Sequence, residues 1–424
     1  MKHTLTAIVL LFAASSARAA EVRGTMTTLL ADRQDVRGAD VVSVIPLYEL
    51  VAIEVRDLAV PGAEHARLVF NGWGRLQLGE DGGPSPDDVG LHPTTADLGL
   101  FYLEAGRGPV ELRLGRQHLV QGVGRMQMID GASLEARLPW GLSAQGYYGL
   151  TVQPELRVET DYWLGGARLA KRLPGMGEIG VGYAMRTVHG ELYRQDLGAD
   201  GFYVIGPTRW VALTVVSPED EGGLRLTEAR LAMSYLRGKS LVVTLDGERV
   251  APDLFLNRQS IFSVFSVGNY DAAGGDVSYR ISPYYELTAD AHLLRRRNSA
   301  LGYRATAQAN AYRDPGRRSR VGVEVSRLDE RESGYVRGRL LTSLELSDQV
   351  RVAGDVFFYR FDEPVNAYDS STIGQVSAVY DLTRAMRIVA SVAGGTTPFA
   401  QSQVEGMLRF AYGYNVDLDR EVAP

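Results

Sequence analysis

Apolar and polar residues alternate along most of the chain. From residue 301, LGYRATAQANAY puts Leu301, Tyr303, Ala305, Ala307, Ala309 and Ala311 on one side, and Arg304, Thr306, Gln308 and Asn310 on the other. RVGVEVS sets Val321, Val323 and Val325 against Glu324 and Ser326. YVRGRLLTSLEL sets Val336, Leu340, Leu344 and Leu346 against Arg337, Arg339, Ser343 and Glu345. VEGMLRFAYGY sets Val404, Leu408, Phe410, Tyr412 and Tyr414 against Glu405, Arg409 and Asn415. Successive strand residues point to opposite faces, so each segment is a strand with one apolar and one polar side. Many such segments of about ten residues in succession are the signature of a transmembrane β-barrel. Unpaired backbone groups in hydrocarbon cost several kcal/mol each, so the sheet must close on itself. The expected fold is all-β: a transmembrane antiparallel β-barrel of about 18 strands, within bounds of about 16 to 20.

The connections follow the same rhythm. Tight ones fall at GRGP (106–109), PWG (139–141), LPGMG (173–177), SDQ (347–349) and LTRA (382–385). Longer ones fall at 79–95, 120–131, 153–159, 362–372 and 396–402. Short turns at the periplasmic end and long loops outside are the habit of outer-membrane barrels. The strand near 178–189 then runs outward and the one near 276–281 inward, so an even number lies between them. Two intervening strands give about 18 in all and four give about 20. RWVALTVVS, EARLAMSYLRG, SLVVTLDGERV and LFLNRQSIFSVFSV are all strand-like in this interval, and their ends are not set by the pattern.

The opening residues MKHTLTAIVLLFAASSARAA combine a basic start, a short apolar run and a small-x-small site at Ala17-Arg18-Ala19. That is the pattern of a secretory signal, assigned to residues 1–19. Residues 20–65 supply the first strands or a plug, 66–416 the barrel, and 417–424 a periplasmic tail. No run of 18 apolar residues spans a bilayer as a helix. Cysteine is absent, which excludes disulfides and thiolate metal sites. Lysine occurs only at Lys2, Lys171 and Lys239, so 42 of the 45 basic residues are arginine. A net charge of −6 argues against nucleic acid as a partner.

One stretch departs from plain alternation: LRLGRQHLVQGVGR, residues 112–125, with three arginines, a histidine and two glutamines. Leu112 and Leu114 take the lipid side, Glu111 and Arg113 the lumen. Strict alternation past Gly115 sends Arg116 and His118 toward lipid. Either Gly115 marks a bulge that turns Arg116 inward, or the strand has left the hydrocarbon there. The stretch, followed by Asp130 and SLEARL, resembles the alginate-export family of outer-membrane barrels at Leu114, Gly115, Arg116, Gln117, Gly122 and Arg125. The resemblance implies an 18-stranded barrel and an electropositive, arginine-lined pore for an anionic polysaccharide. The chain departs from many outer-membrane barrels in running past Tyr414 through NVDLDREVAP rather than ending on an aromatic residue.

Lumen parity selects candidate channel-lining residues: Arg113, Arg137, Arg186, Arg280, Arg304, Arg337, Arg339 and Arg409, with Arg116 and Gln117 from the departing stretch. Arg230 shares this parity. Acidic residues share it too: Glu111, Glu135 and Glu324, with Glu178, Glu228, Asp290, Glu345 and Glu405. These groups either form cross-strand salt bridges that stiffen the wall or leave an arginine excess that favours anions. The loop acids Glu80, Asp81, Asp87 and Asp88 offer hard oxygen ligands to a divalent cation between lipopolysaccharides, or are simply solvated. No metal or cofactor site is assigned.

No HExxH, GxSxG, Walker or dinucleotide motif occurs, so no enzyme is expected. Of the six histidines, His292 and His118 are the lumen-side candidates for an Asp/His or Ser/His pair. Three functions fit a large closed barrel. They are a polysaccharide-export channel working with periplasmic machinery, a general diffusion porin, and a structural anchor of an envelope machine. All three place the chain in the outer membrane, against lipid and lipopolysaccharide.

Overall fold

A computed structural model describes residues 21–37, 40–78, 94–119, 122–123, 127–152, 158–218, 223–250, 270–296, 301–330, 334–398 and 400–417. The signal segment, the acids at 80–88, the strand-like 254–267 and the residues after 417 lie outside these. All the strand segments join one antiparallel sheet. The first, Glu21–Arg37, closes it: Thr25 stands opposite Ala52 of Pro46–Arg56 on one side and opposite Gly413 of Ala400–Asp417 on the other. The outer end of this first strand pairs with Asp40–Val44, and Ile45 alone separates that segment from Pro46–Arg56. Counted as one strand, they give a closed barrel of 22 strands.

The strand number corrects the expectation of about 18. Residues from Glu21 onward form wall, not a plug, so the barrel begins well before residue 66. The interval 190–275 holds four described strands: Glu191–Ile205, Thr208–Pro218, Leu224–Arg237 and Leu241–Val250. Glu191–Ile205 escapes the alternation test because Gln195 shares a row with Leu197, and Phe202 shares one with Asp200; its register also slips at its start. Arg186 pairs with Arg194 but Thr187 pairs with Leu192, which leaves Tyr193 over. An extra residue inverts the parity beyond it.

Two connections are shorter than expected. Val350–Val365 and Tyr368–Asp381 meet at Asn366 and Ala367, whose φ values of 48° and 69° make a two-residue hairpin turn. Met386–Thr397 turns into Ala400–Asp417 with similar economy. The polar residues read as loops there are strand residues that continue past the apolar band.

The outward face carries exposed apolar side chains on strands well apart in the ring. Val181, Leu231, Val323, Val325, Val376 and Val404 are each more than half exposed and face away from the lumen. Trp140, Trp210, Tyr284 and Tyr285 are exposed at or beside the short turns. An apolar band bordered by aromatic residues is what a barrel presents to lipid. The protein is an integral outer-membrane β-barrel.

Candidate functional site

The lumen wall is a set of cross-strand ionic chains. Arg67 Nη1 donates to Glu54 Oε1 at 3.0 Å, and its Nε donates to Glu104 at 2.6 Å. Arg113 donates to the same Glu104 at 2.7 Å and to Glu111 at 2.8 Å. One chain thus crosses the four strands Pro46–Arg56, His65–Gln77, Thr94–Arg107 and Val110–Leu119. Arg168 Nη2 donates to Glu178 at 2.9 Å and to Asp200 at 2.6 Å. Its guanidinium lies over Gly180, where a Cβ would come within 2.6 Å of it. Arg337 donates to Glu324 at 2.5 Å, and Arg339 donates to Asp355 at 2.7 Å. In a wet lumen such pairs contribute little each, but they fix side chains across neighbouring strands.

Other candidates are more loosely held. Arg304 Nε lies 3.8 Å from Asp290, and Arg280 Nε lies 4.0 Å from Glu286, which Arg317 holds at 2.5 Å. Glu135 stands directly opposite Glu111 and has no ion pair among the described residues. Arg186, Arg137 and Arg409 also lack one there, and Arg137 and Arg409 are exposed. His292 Nε2 is 3.1 Å from Asp246, and no hydroxyl among the described residues bonds to that ring.

The departing stretch does not take the expected bulge. Its strand, Val110–Leu119, passes through Gly115 with no register shift, Gly115 facing Tyr102 and Gly131. There is no bulge. Gly115 instead adopts φ +121°, and a Cβ there would sit 2.2 Å from the carbonyl oxygen of Phe101. Gln117 accepts from Ser133 Oγ at 2.6 Å and donates to the Arg113 carbonyl at 3.3 Å, so it stays on Arg113's face. Arg116 therefore belongs to the outward row, between Phe101 and Asp130, and does not line the lumen. Its charge is met by two bonds to Asp130, at 2.7 and 2.9 Å, and one to the Leu98 carbonyl at 2.6 Å. His118 shares that outward row and is exposed. Gln117 is also corrected: it is 1% exposed and sealed into the wall.

An apolar patch lies beside it, where Gln117 pairs with Ile129 of the next strand. Leu119, Ile129, Tyr147, Leu164 and Ala184 form a buried apolar cluster on the inner wall, with Val123 packed against it. Val123 also lies over Gly182 and Gly198, where a Cβ would come within 3.3 and 2.7 Å of its Cγ2. Gly122 sits over Arg168. Val123 is thus seated on the lumen side of the wall over Gly182 and Gly198.

The arginine excess appears elsewhere. A recess of about 1250 Å³ opens in the lumen where the first and last strands meet, at the end carrying the short turn 382–385. Arg23, Arg67, Arg351, Arg384, Arg387 and Arg409 line it, against only Glu54 and Asp381. Arg384 and Arg409 have no ion pair among the described residues. Of these six arginines, sequence reading singled out Arg409 alone. The lumen parity of Arg67 in HARLVFNGWGRLQ was a signal that could have been read.

No protein-family model and no curated protein matches the chain. Solved structures do. The siderophore receptor PirA of Pseudomonas aeruginosa matches with a TM-score of 0.53 at 12% identity, over 93% of this chain and 80% of its own. A mutant of the ferric enterobactin receptor PfeA of the same organism gives 0.51 at 8% identity, with the same coverage of both chains. OccAB4 of Acinetobacter baumannii matches at 0.47 and 9% identity, over 94% of this chain and 99% of that one. The two receptors share the fold of this chain, a large outer-membrane barrel; the resemblance to alginate exporters stays with the few residues that carry it.

Proposed function

We propose that the barrel is a channel passing a hydrophilic, anionic carbohydrate polymer across the outer membrane. Arg384 and Arg409, which line the recess with no ion pair among the described residues, carry this reading. A guanidinium is permanently charged and pairs bidentately with carboxylate or phosphate. The width agrees: barrels of about 16–18 strands already leave an aqueous channel, whereas transporters of about 22 strands hold a plug. This ring has 22 strands, and among the described residues no separate domain fills it. On this reading the partners are periplasmic polysaccharide-export machinery, with lipid and lipopolysaccharide around the wall, and the chain catalyses nothing.

A general diffusion porin is the second reading, favoured by the close pairing of charge over the rest of the lumen. Reversal potentials in planar bilayers under a salt gradient separate the two. The expected wild type is anion-selective, and Arg384→Gln with Arg409→Gln reduces that selectivity. A cation-selective wild type would leave the porin ahead.

A further inference from the structure

Strand Val350–Val365 carries Phe357, Tyr359 and Phe361 at alternate positions on its lumen face. Their rings stack in file, with centroids 6.5 and 6.3 Å apart and planes tilted by 22° and 14°. Tyr335, on the neighbouring strand opposite Phe361, meets Tyr359 edge-on at 5.5 Å. All four rings are only part-covered.

Their charged neighbours are already paired in charge. Arg339 sits 4.9 Å over the Phe357 ring and is tied to Asp355; Arg337 stands opposite Tyr359 and is tied to Glu324. Two guanidiniums and two carboxylates leave the ladder without net charge. Phenylalanine has no polar handle, and its favoured places in a barrel are the lipid face and the aromatic girdles. Two of them facing a watery lumen, in line with a strand, offer a platform to an apolar face that arrives from the water.

A recess of about 440 Å³ adjoins Tyr335, lined by Thr306, Gln308, Ser326 and Arg337 among others. Ser326 Oγ and Arg337 Nε are buried and have no hydrogen-bond partner. Flat apolar faces beside unspent hydrogen-bonding groups match one class of molecule: a pyranose, whose ring C–H face is apolar and whose rim is hydroxylated.

We propose that Tyr335, Phe357, Tyr359 and Phe361 form a stacking track for successive sugar rings of a glycan, with Arg337 and Ser326 bonding its hydroxyls. The track rests on the channel reading for the direction of travel, but not for binding. It recognises ring faces, so it is indifferent to the glycan's charge. Charge is sorted at the arginine recess, which Arg351 of the same strand also lines.

Two measurements on the full-length protein test it: current block in planar bilayers, and saturation-transfer NMR in detergent. The probes are maltohexaose, cellohexaose and hexamannuronate. Wild type should bind all three and be blocked by them. Phe357→Leu with Tyr359→Leu, which keeps apolar bulk, should weaken block by all three at least about tenfold. Arg384→Gln with Arg409→Gln should weaken block by hexamannuronate alone. Absence of hexaose binding to wild type, or unaltered block in the leucine pair, would overturn the track. A wild type that binds the hexaoses but conducts no current sinks the channel and leaves the track standing.

Discussion

Arg337 and Arg339 share one carboxylate. Glu324, its side chain 7% exposed, lies 2.5 Å from Arg337 Nη2 and 3.6 Å from Arg339 Nη1. The two cations read from sequence as a selectivity ring are thus half of a balanced set. Opposite changes should move selectivity in opposite directions. Glu324→Gln frees positive charge and shifts the reversal potential toward anions. Arg337→Gln with Arg339→Gln shifts it toward cations and lowers stability by about 1–3 kcal/mol, because Glu324 is left buried without a partner. Identical potentials in all three proteins would put these groups off the ion path.

Gly115 is intolerant of any side chain. With φ at +121° and the Phe101 carbonyl 2.2 Å from where a Cβ would stand, Gly115→Val must break the pairing with Tyr102 or Gly131. The expected result is a sharp loss of the heat-modifiable folded band on gels. Normal insertion and an unchanged unfolding temperature would refute the close approach.

Val123 meets the inner wall by apolar contact. Val123→Asp places a charge on the cluster of Ile129, Tyr147 and Leu164, and this contact should be lost. The expected result is a lower unfolding temperature in detergent, with the barrel intact by circular dichroism. An unchanged unfolding temperature would show that the contact adds nothing to the wall.

The outward valines report the membrane boundary. Val325 is 54% exposed on the lipid side. Val325→Arg should cost about 2–4 kcal/mol near the bilayer midplane. Thr306→Arg, on the lumen side, should cost close to nothing. Urea unfolding from lipid vesicles measures both, and equal costs would contradict the assigned faces.

Much of the wall was legible because a barrel strand is an alternating pattern and little else. Val321, Val323 and Val325 against Glu324 state their own faces. Glu191–Ile205 was not legible, since Gln195 falls in the row of Leu197 and Phe202 in the row of Asp200, which blurs the alternation. Arg116 misled for another reason: its partner Asp130 is on the next strand, and only pairing shows that an outward arginine can be satisfied. The arginine recess is less visible still. Arg23 and Arg409 lie at opposite ends of the chain and become neighbours only when the ring closes, so no local window holds the cluster.

That closure also dictates how the molecule can be made. Glu21 stands opposite Asp417, the widest separation in sequence that any pair of strands here spans. Until Ala400–Asp417 arrives, the nascent sheet keeps two raw edges, each a row of donors and acceptors open to any passing strand. Hydrocarbon tolerates no such edge. A polypeptide stopped short of its last hairpin is therefore no narrower conduit but a sticky ribbon, and completion of the seam and settlement in the bilayer become a single event.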